Sequence, residues 1–134
     1  MPTPAKLLVR SYRDLLVWQR AMQLLKETYE RTEKYPRREI YGITAQMRRA
    51  ALSIPSNISE GHGRPTTRDF VRFLGIASGS LRELQTFCDA SVLLGFISEP
   101  ELTNMRHLGD ETGRMLVGLR ESLQRRIATK SPAH

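Results

Sequence analysis

Apolar residues recur at intervals of three and four through four long stretches of the chain, and nowhere alternate with the two-residue period of a strand. In the first stretch the line is Leu15, Trp18, Met22, Leu25 and Tyr29. In the second it is Ile40, Ile43, Met47, Ala50/Ala51, Ile54 and Ile58, and in the third Phe70, Phe73/Leu74, Ala77, Leu81, Leu84 and Cys88. The fourth, Leu102, Met105, Gly109, Thr112, Leu116, Leu119 and Leu123, is the most regular. Heptad-like stripes of this kind bury one helix face against its neighbours at the shallow crossing angle of a bundle.

The breaks between the stretches carry the chemistry of helix ends. Pro36 follows the first, Gly61-His62-Gly63-Arg64-Pro65 the second and Gly95 the third; the fourth dissolves into Thr129-Lys130-Ser131-Pro132. Ser98 before Glu99-Pro100-Glu101 is a capping box with proline in the first turn, and Thr66 with Asp69 is a weaker one. Gly61 and Gly95 stand where a left-handed C-terminal cap belongs. Pro55 falls inside the second stripe, where it removes one hydrogen bond and predicts a kink, with Ser53, Ser56 and Asn57 at hand for the freed carbonyl. The pattern predicts an all-α, antiparallel up-down-up-down bundle of four helices of about 22 to 28 residues. The expected organisation is a flexible arm over 1–10, the bundle over 11–127 and a disordered tail over 128–134.

Composition bounds the class. The 134 residues suit one domain, and 40% apolar with 26% charged residues describes a globular chain rather than a disordered one. No apolar run approaches the roughly 20 residues that span a bilayer, and no signal-peptide core follows Met1. A single cysteine excludes an intrachain disulfide and fits a reducing cytoplasm; Cys88, among Leu84, Phe87 and Ser91, reads as a buried, inert thiol. The net charge is +7, and 17 of the 21 basic residues are arginine. The guanidinium fork suits phosphate, which makes nucleic acid a candidate partner, although arginine enrichment from a GC-rich genome gives the same composition.

The faces away from the stripes add two expectations. Val17 and Leu24 widen the first apolar arc, Tyr41, Ala45, Arg48 and Leu52 align on the second helix, and Ile76, Phe87 and Leu94 on the third. Aligned apolar residues facing water favour self-association, with Val17, Leu24, Tyr41 and Leu52 at the subunit contacts. On the third helix Arg68, Arg72, Gly75, Gly79, Arg82 and Thr86 share one sector opposite the core, where glycine is costly and arginine near a helix start calls for an anion. Catalytic chemistry is poor. His62, His107 and His134 are scattered, and no Glu-x-x-His, H-x-x-x-H or C-x-x-C pattern supplies a metal site. The acids read as caps and ion-pair partners, Arg106 with Asp110 among them. No enzyme activity, cofactor or metal is expected.

Several motifs resemble one known family. Tyr12-Arg-Asp-Leu15 with Val17-Trp18-Gln19 and Ala21 resembles its opening motif. Tyr41-Gly-Ile-Thr-Ala-Gln46, Arg48-Arg49-Ala50-Ala51 and Ser53-Ile-Pro55-Ser-Asn57-Ile-Ser-Glu60-Gly61 resemble its signature, continued by Gly79-Ser-Leu-Arg-Glu-Leu84 and Leu94-Gly95. The chain thereby resembles, over about residues 11–126, the four-helix-bundle proteins of bacterial large-subunit rRNA intervening sequences. The resemblance implies a left-handed bundle, a ring-shaped homopentamer, a kinked but continuous second helix through Pro55 and nucleic-acid binding. A bundle similar in fold and charge, the accessory variability protein of diversity-generating retroelements, binds a reverse transcriptase and its RNA.

The functional expectation is a cytoplasmic, non-enzymatic, oligomeric protein that binds RNA or DNA electrostatically and with weak sequence preference, through Arg48, Arg49, Arg64, Arg68, Arg72 and Arg82. The alternative is an adaptor whose basic face docks an acidic protein such as a reverse transcriptase. The family-motif residues Trp18, Pro55, Asn57, Glu60 and Gly61 are expected to be structural, Asn57 serving backbone freed by the proline and Glu60 pairing with Arg64 or Arg49.

Overall fold

A computed structural model describes residues 10–130, so the expected arm over 1–9 and the tail beyond 130 lie outside the described residues. Four long helices carry the fold: α1 (Leu16–Thr32), α2 (Ile43–His62), α3 (Thr67–Leu93) and α4 (Thr103–Lys130). Short 3-10 turns at Tyr12–Asp14, Arg37–Glu39 and Glu99–Leu102 lead into α1, α2 and α4, and no strand occurs among the described residues. The protein is an all-α four-helix bundle. α4 runs past the bundle end expected at 127. α1 and α2, at 17 and 20 residues, are shorter than expected. Leu15 is extended, so α1 starts late, and the Pro36 turn with Gly42 delays α2.

The ends form largely as the chemistry dictates. Thr66 Oγ1 accepts the Asp69 N–H at 3.1 Å, and the Ser98 backbone and hydroxyl both donate to Glu101 Oε1. Gly95, at φ +78°, closes α3: Phe96 N donates to Ser91 O and Gly95 N to Val92 O, a Schellman pair. Gly61 is different. It lies inside α2 without positive φ and is buried, and Gly63 ends the helix. A Cβ on Gly61 would stand 2.6 Å from Phe73 Cβ and 3.0 Å from Phe70 Cδ1. The position needs glycine so that α2 and α3 can touch, not for a left-handed cap.

The third and fourth stripes are the core as expected, with Leu74, Leu84, Leu102 and Leu116 fully buried against Met47, Ile54 and Ile58 of α2. Cys88 joins them, and burial pushes its thiol up to about 11, so it stays protonated at neutral pH. On α1 the expected line is displaced by one residue. The buried face is Val17, Ala21, Leu24, Thr28 and Thr32, whereas Met22 and Tyr29 are 38% and 44% exposed. Thr28 and Thr32 donate to Leu24 O at 2.8 Å and Thr28 O at 2.7 Å, which satisfies both hydroxyls within the helix. Val17 and Leu24, at 5% and 1% exposure, are therefore core residues; the expectation that they face outward is corrected.

α2 continues unbroken through the buried Pro55. The carbonyl deprived of its partner belongs to Ala51. Asn57 does not serve it: its Nδ2 donates to Ser53 O at 2.8 Å and Ser53 Oγ at 2.9 Å, and Ser53 Oγ meets Ser80 Oγ of α3 at 2.8 Å. The motif serine and asparagine thus form a polar bridge between α2 and α3. Ser91 Oγ, on α3, reaches Met47 Sδ of α2 at 3.5 Å, and Arg20 of α1 pairs with Glu111 of α4 at 2.7 Å.

Candidate nucleic-acid interface

The six arginines expected at the surface divide by what they touch. Arg48 is engaged between α1 and α2. Its Nε donates to Thr32 Oγ1 at 3.0 Å, its Nη2 to Tyr29 O and Glu33 at 3.4 and 3.3 Å, and the guanidinium lies 4.4 Å over the Tyr29 ring. With those donors used, Arg48 is a packing residue. Arg64 pairs with Glu60 at 3.4 Å, as expected, and Arg72 with Asp69 at 3.6 Å. Both guanidinium groups also lie over the Phe73 ring, at 4.9 and 4.6 Å. They converge on the α2–α3 corner that Gly61 holds together, and each carries a neighbouring acid.

Arg49, Arg68 and Arg82 are exposed and have no carboxylate within ion-pair reach among the described residues. Arg68 stands one turn before Arg72 on α3, and Arg82 is about 21 Å further along the helix at 1.5 Å per residue. The structure therefore gathers Arg64, Arg68 and Arg72 at one end of α3, with Arg82 well down the helix and Arg49 on α2. Gly79, between Arg72 and Arg82, has open space where a side chain would be, while a Cβ on Gly75 would stand 3.5 Å from Arg120 Nη2 of α4.

Sequence reasoning missed the arginines of α4. Arg114 and Arg120 share with Arg82 a groove of about 570 Å³ between α3 and α4, with Gly109, Gly113 and Gly118 also in its lining. Gly109 and Gly113, one turn apart beside Arg114, are the signal that could have found it. Arg106, by contrast, does not pair with Asp110. It reaches Asp89 and Glu99, both at 2.9 Å, holding the α3–α4 connection; the pairing raises its pKa and lowers that of Glu99.

Trp18 packs edge-on against Tyr12 at 5.3 Å, and Gln19 Nε2 donates to Arg13 O, so the opening motif ties the first 3-10 turn to α1. His62 meets the Phe70 ring at 5.7 Å, and no group of three or more His, Cys, Asp or Glu could hold a metal among the described residues. Of the expected contact residues, Tyr41 and Leu52 are 93% and 50% exposed. Tyr41 lies in the turn before α2, not on the helix as expected; Arg48, one turn before Leu52, covers Tyr29, which sets this face of α2 beside the Met22–Tyr29 face of α1.

A family model described as 23S rRNA-intervening sequence protein matches residues 13–118, which include all of α1, α2 and α3 and much of α4. No curated protein matches the chain.

Proposed function

Since the chain belongs to the 23S rRNA-intervening sequence protein family, we propose that it is a non-enzymatic, cytoplasmic, oligomeric protein that binds RNA or DNA with weak sequence preference. The observation that carries this reading is that three of the six expected arginines, Arg49, Arg68 and Arg82, are exposed with no carboxylate in reach among the described residues, on a chain of net charge +7. Guanidinium groups free of carboxylates neutralise phosphates and release counterions, a term that does not read bases. The family's tie to rRNA points the same way. Within this reading the bundle is antiparallel, up-down-up-down and left-handed. The pairs Gly61/Phe73, Ser53/Ser80 and Met47/Ser91 support the first part, since they descend α2 as they climb α3.

Replacing Arg49, Arg68 and Arg82 together with alanine tests the assignment. Affinity for unrelated single strands should fall to a similar degree, and the slope of log affinity against log salt should flatten by about 2. A variant with the wild-type slope would remove these residues from the interface. Binding of an acidic protein in place of nucleic acid would favour the adaptor reading.

Self-association, in the family reading a homopentameric ring, would use the exposed Tyr41 and Leu52 with Met22 and Tyr29, and would multiply the +7 of each chain fivefold. Leu52→Glu should leave the fold intact, because the side chain is half exposed, and should yield single chains by light scattering. A mass of 15.3 kDa for the unmutated protein would end this part of the reading.

A further inference from the structure

We infer that the groove between α3 and α4 seats one phosphate–sugar strand of nucleic acid, and hence that the protein prefers single strands to duplex. The inference rests on the nucleic-acid reading and assigns a site within it. Close approach of the two helices forms the groove. A Cβ on Gly113 would meet Leu81 Cδ2 at 3.3 Å, whereas one on Gly118, about 140° further round α4 and exposed, would stand in open space at the groove's rim. Arg82, Arg114 and Arg120 line it. Among the described residues none of the three has a carboxylate within ion-pair reach, a condition they share with Arg49 and Arg68, whereas Arg20, Arg48, Arg64, Arg72 and Arg106 are paired.

Polar atoms in the groove wall are also incomplete. Arg120 Nε and Ser78 Oγ are buried with no hydrogen-bond partner among the described residues, a rare condition in a folded protein. Asp110 and Glu121 line the groove as well and leave it mixed in charge. That mixture suits a nucleotide: arginines take phosphate oxygens, and carboxylates accept from base amino groups. It suits a second α-helix poorly, because a docked helix would leave the three guanidinium groups facing apolar side chains. The groove lies on the surface above the helix contact, and its volume of about 570 Å³ takes a short stretch of one strand, not a double helix.

The test uses the full chain and two labelled probes, an oligouridylate of about 15 nucleotides and an RNA duplex of the same length. Gly118→Leu fills the groove where no protein atom stands in the way, and Arg114→Ala with Arg120→Ala removes its charge without adding bulk. Each variant should bind the single strand at least about tenfold more weakly and the duplex within about twofold of wild type, at unchanged oligomer mass. Single-strand affinity within about twofold of wild type in both variants would overturn the groove assignment and leave the nucleic-acid reading standing. A reduced oligomer mass with unchanged affinity would also overturn it, making the groove a contact between copies. If the wild-type protein binds neither probe, the nucleic-acid reading itself fails.

Discussion

Gly61→Leu should cost about 3 kcal/mol or more of folding stability, measured as a loss of the cooperative thermal transition or a large fall in its midpoint. The Cβ alone would meet Phe73 Cβ at 2.6 Å and the Phe70 carbonyl oxygen at 3.3 Å. Neither atom is the far end of a flexible side chain, so relief requires α2 and α3 to separate. Separation would open the Ser53–Ser80 bridge and move Phe73 away from Arg64 and Arg72. Gly79→Leu is the control. That position is exposed with open space around it, and leucine is the better helix former, so stability should hold or rise. Equal midpoints for the two variants would refute the close approach at Gly61.

Leu24→Ala should destabilise the protein by about 3 kcal/mol, and Met22→Ala by less than about 1 kcal/mol. Urea unfolding read by circular dichroism separates them. Leu24 is among the largest fully buried side chains, so its removal leaves a cavity between α1 and the rest of the core. Met22 has water on one side and loses little. The reverse order would restore the apolar line that hydrophobicity alone suggests for α1, and with it an outward-facing Leu24.

That line shows where the sequence is legible and where it is not. On α3 and α4 large apolar residues occupy most core positions, Leu74, Leu81, Leu84, Leu102, Met105 and Leu116, so the periodicity and the buried face coincide. On α1 the core side holds Ala21, Thr28 and Thr32, small or polar residues whose burial depends on hydroxyls donating back to the preceding turn. The larger Trp18, Met22, Leu25 and Tyr29 outweigh them in any reading by size and hydrophobicity. The all-helical class, the Ser98 and Thr66 caps and the Gly95 turn rest on local chemistry and could be read directly. Gly61 could not, because its reason is Phe73, on another helix.

The interface was legible in kind but not in membership. Arginine excess is a property of composition, whereas availability depends on partners far away in the chain. Arg48 is taken up by Tyr29, Thr32 and Glu33 of the preceding helix and its end. Arg106 finds Asp89 across the connection instead of Asp110 one turn along its own helix. Arg114 and Arg120 escaped notice because Gly109 counts as part of the apolar stripe, which hides that it and Gly113 line a groove beside them.

The central claim, electrostatic binding of nucleic acid, is tested most directly by titrating the unmutated protein against two unrelated RNA single strands over a range of salt. For about five neutralised phosphates, log affinity should fall against log salt with a slope near −3.5, the two sequences agreeing within a few-fold at each concentration. Failure to retain either RNA at low salt, where this attraction is strongest, or an affinity independent of salt, would contradict it.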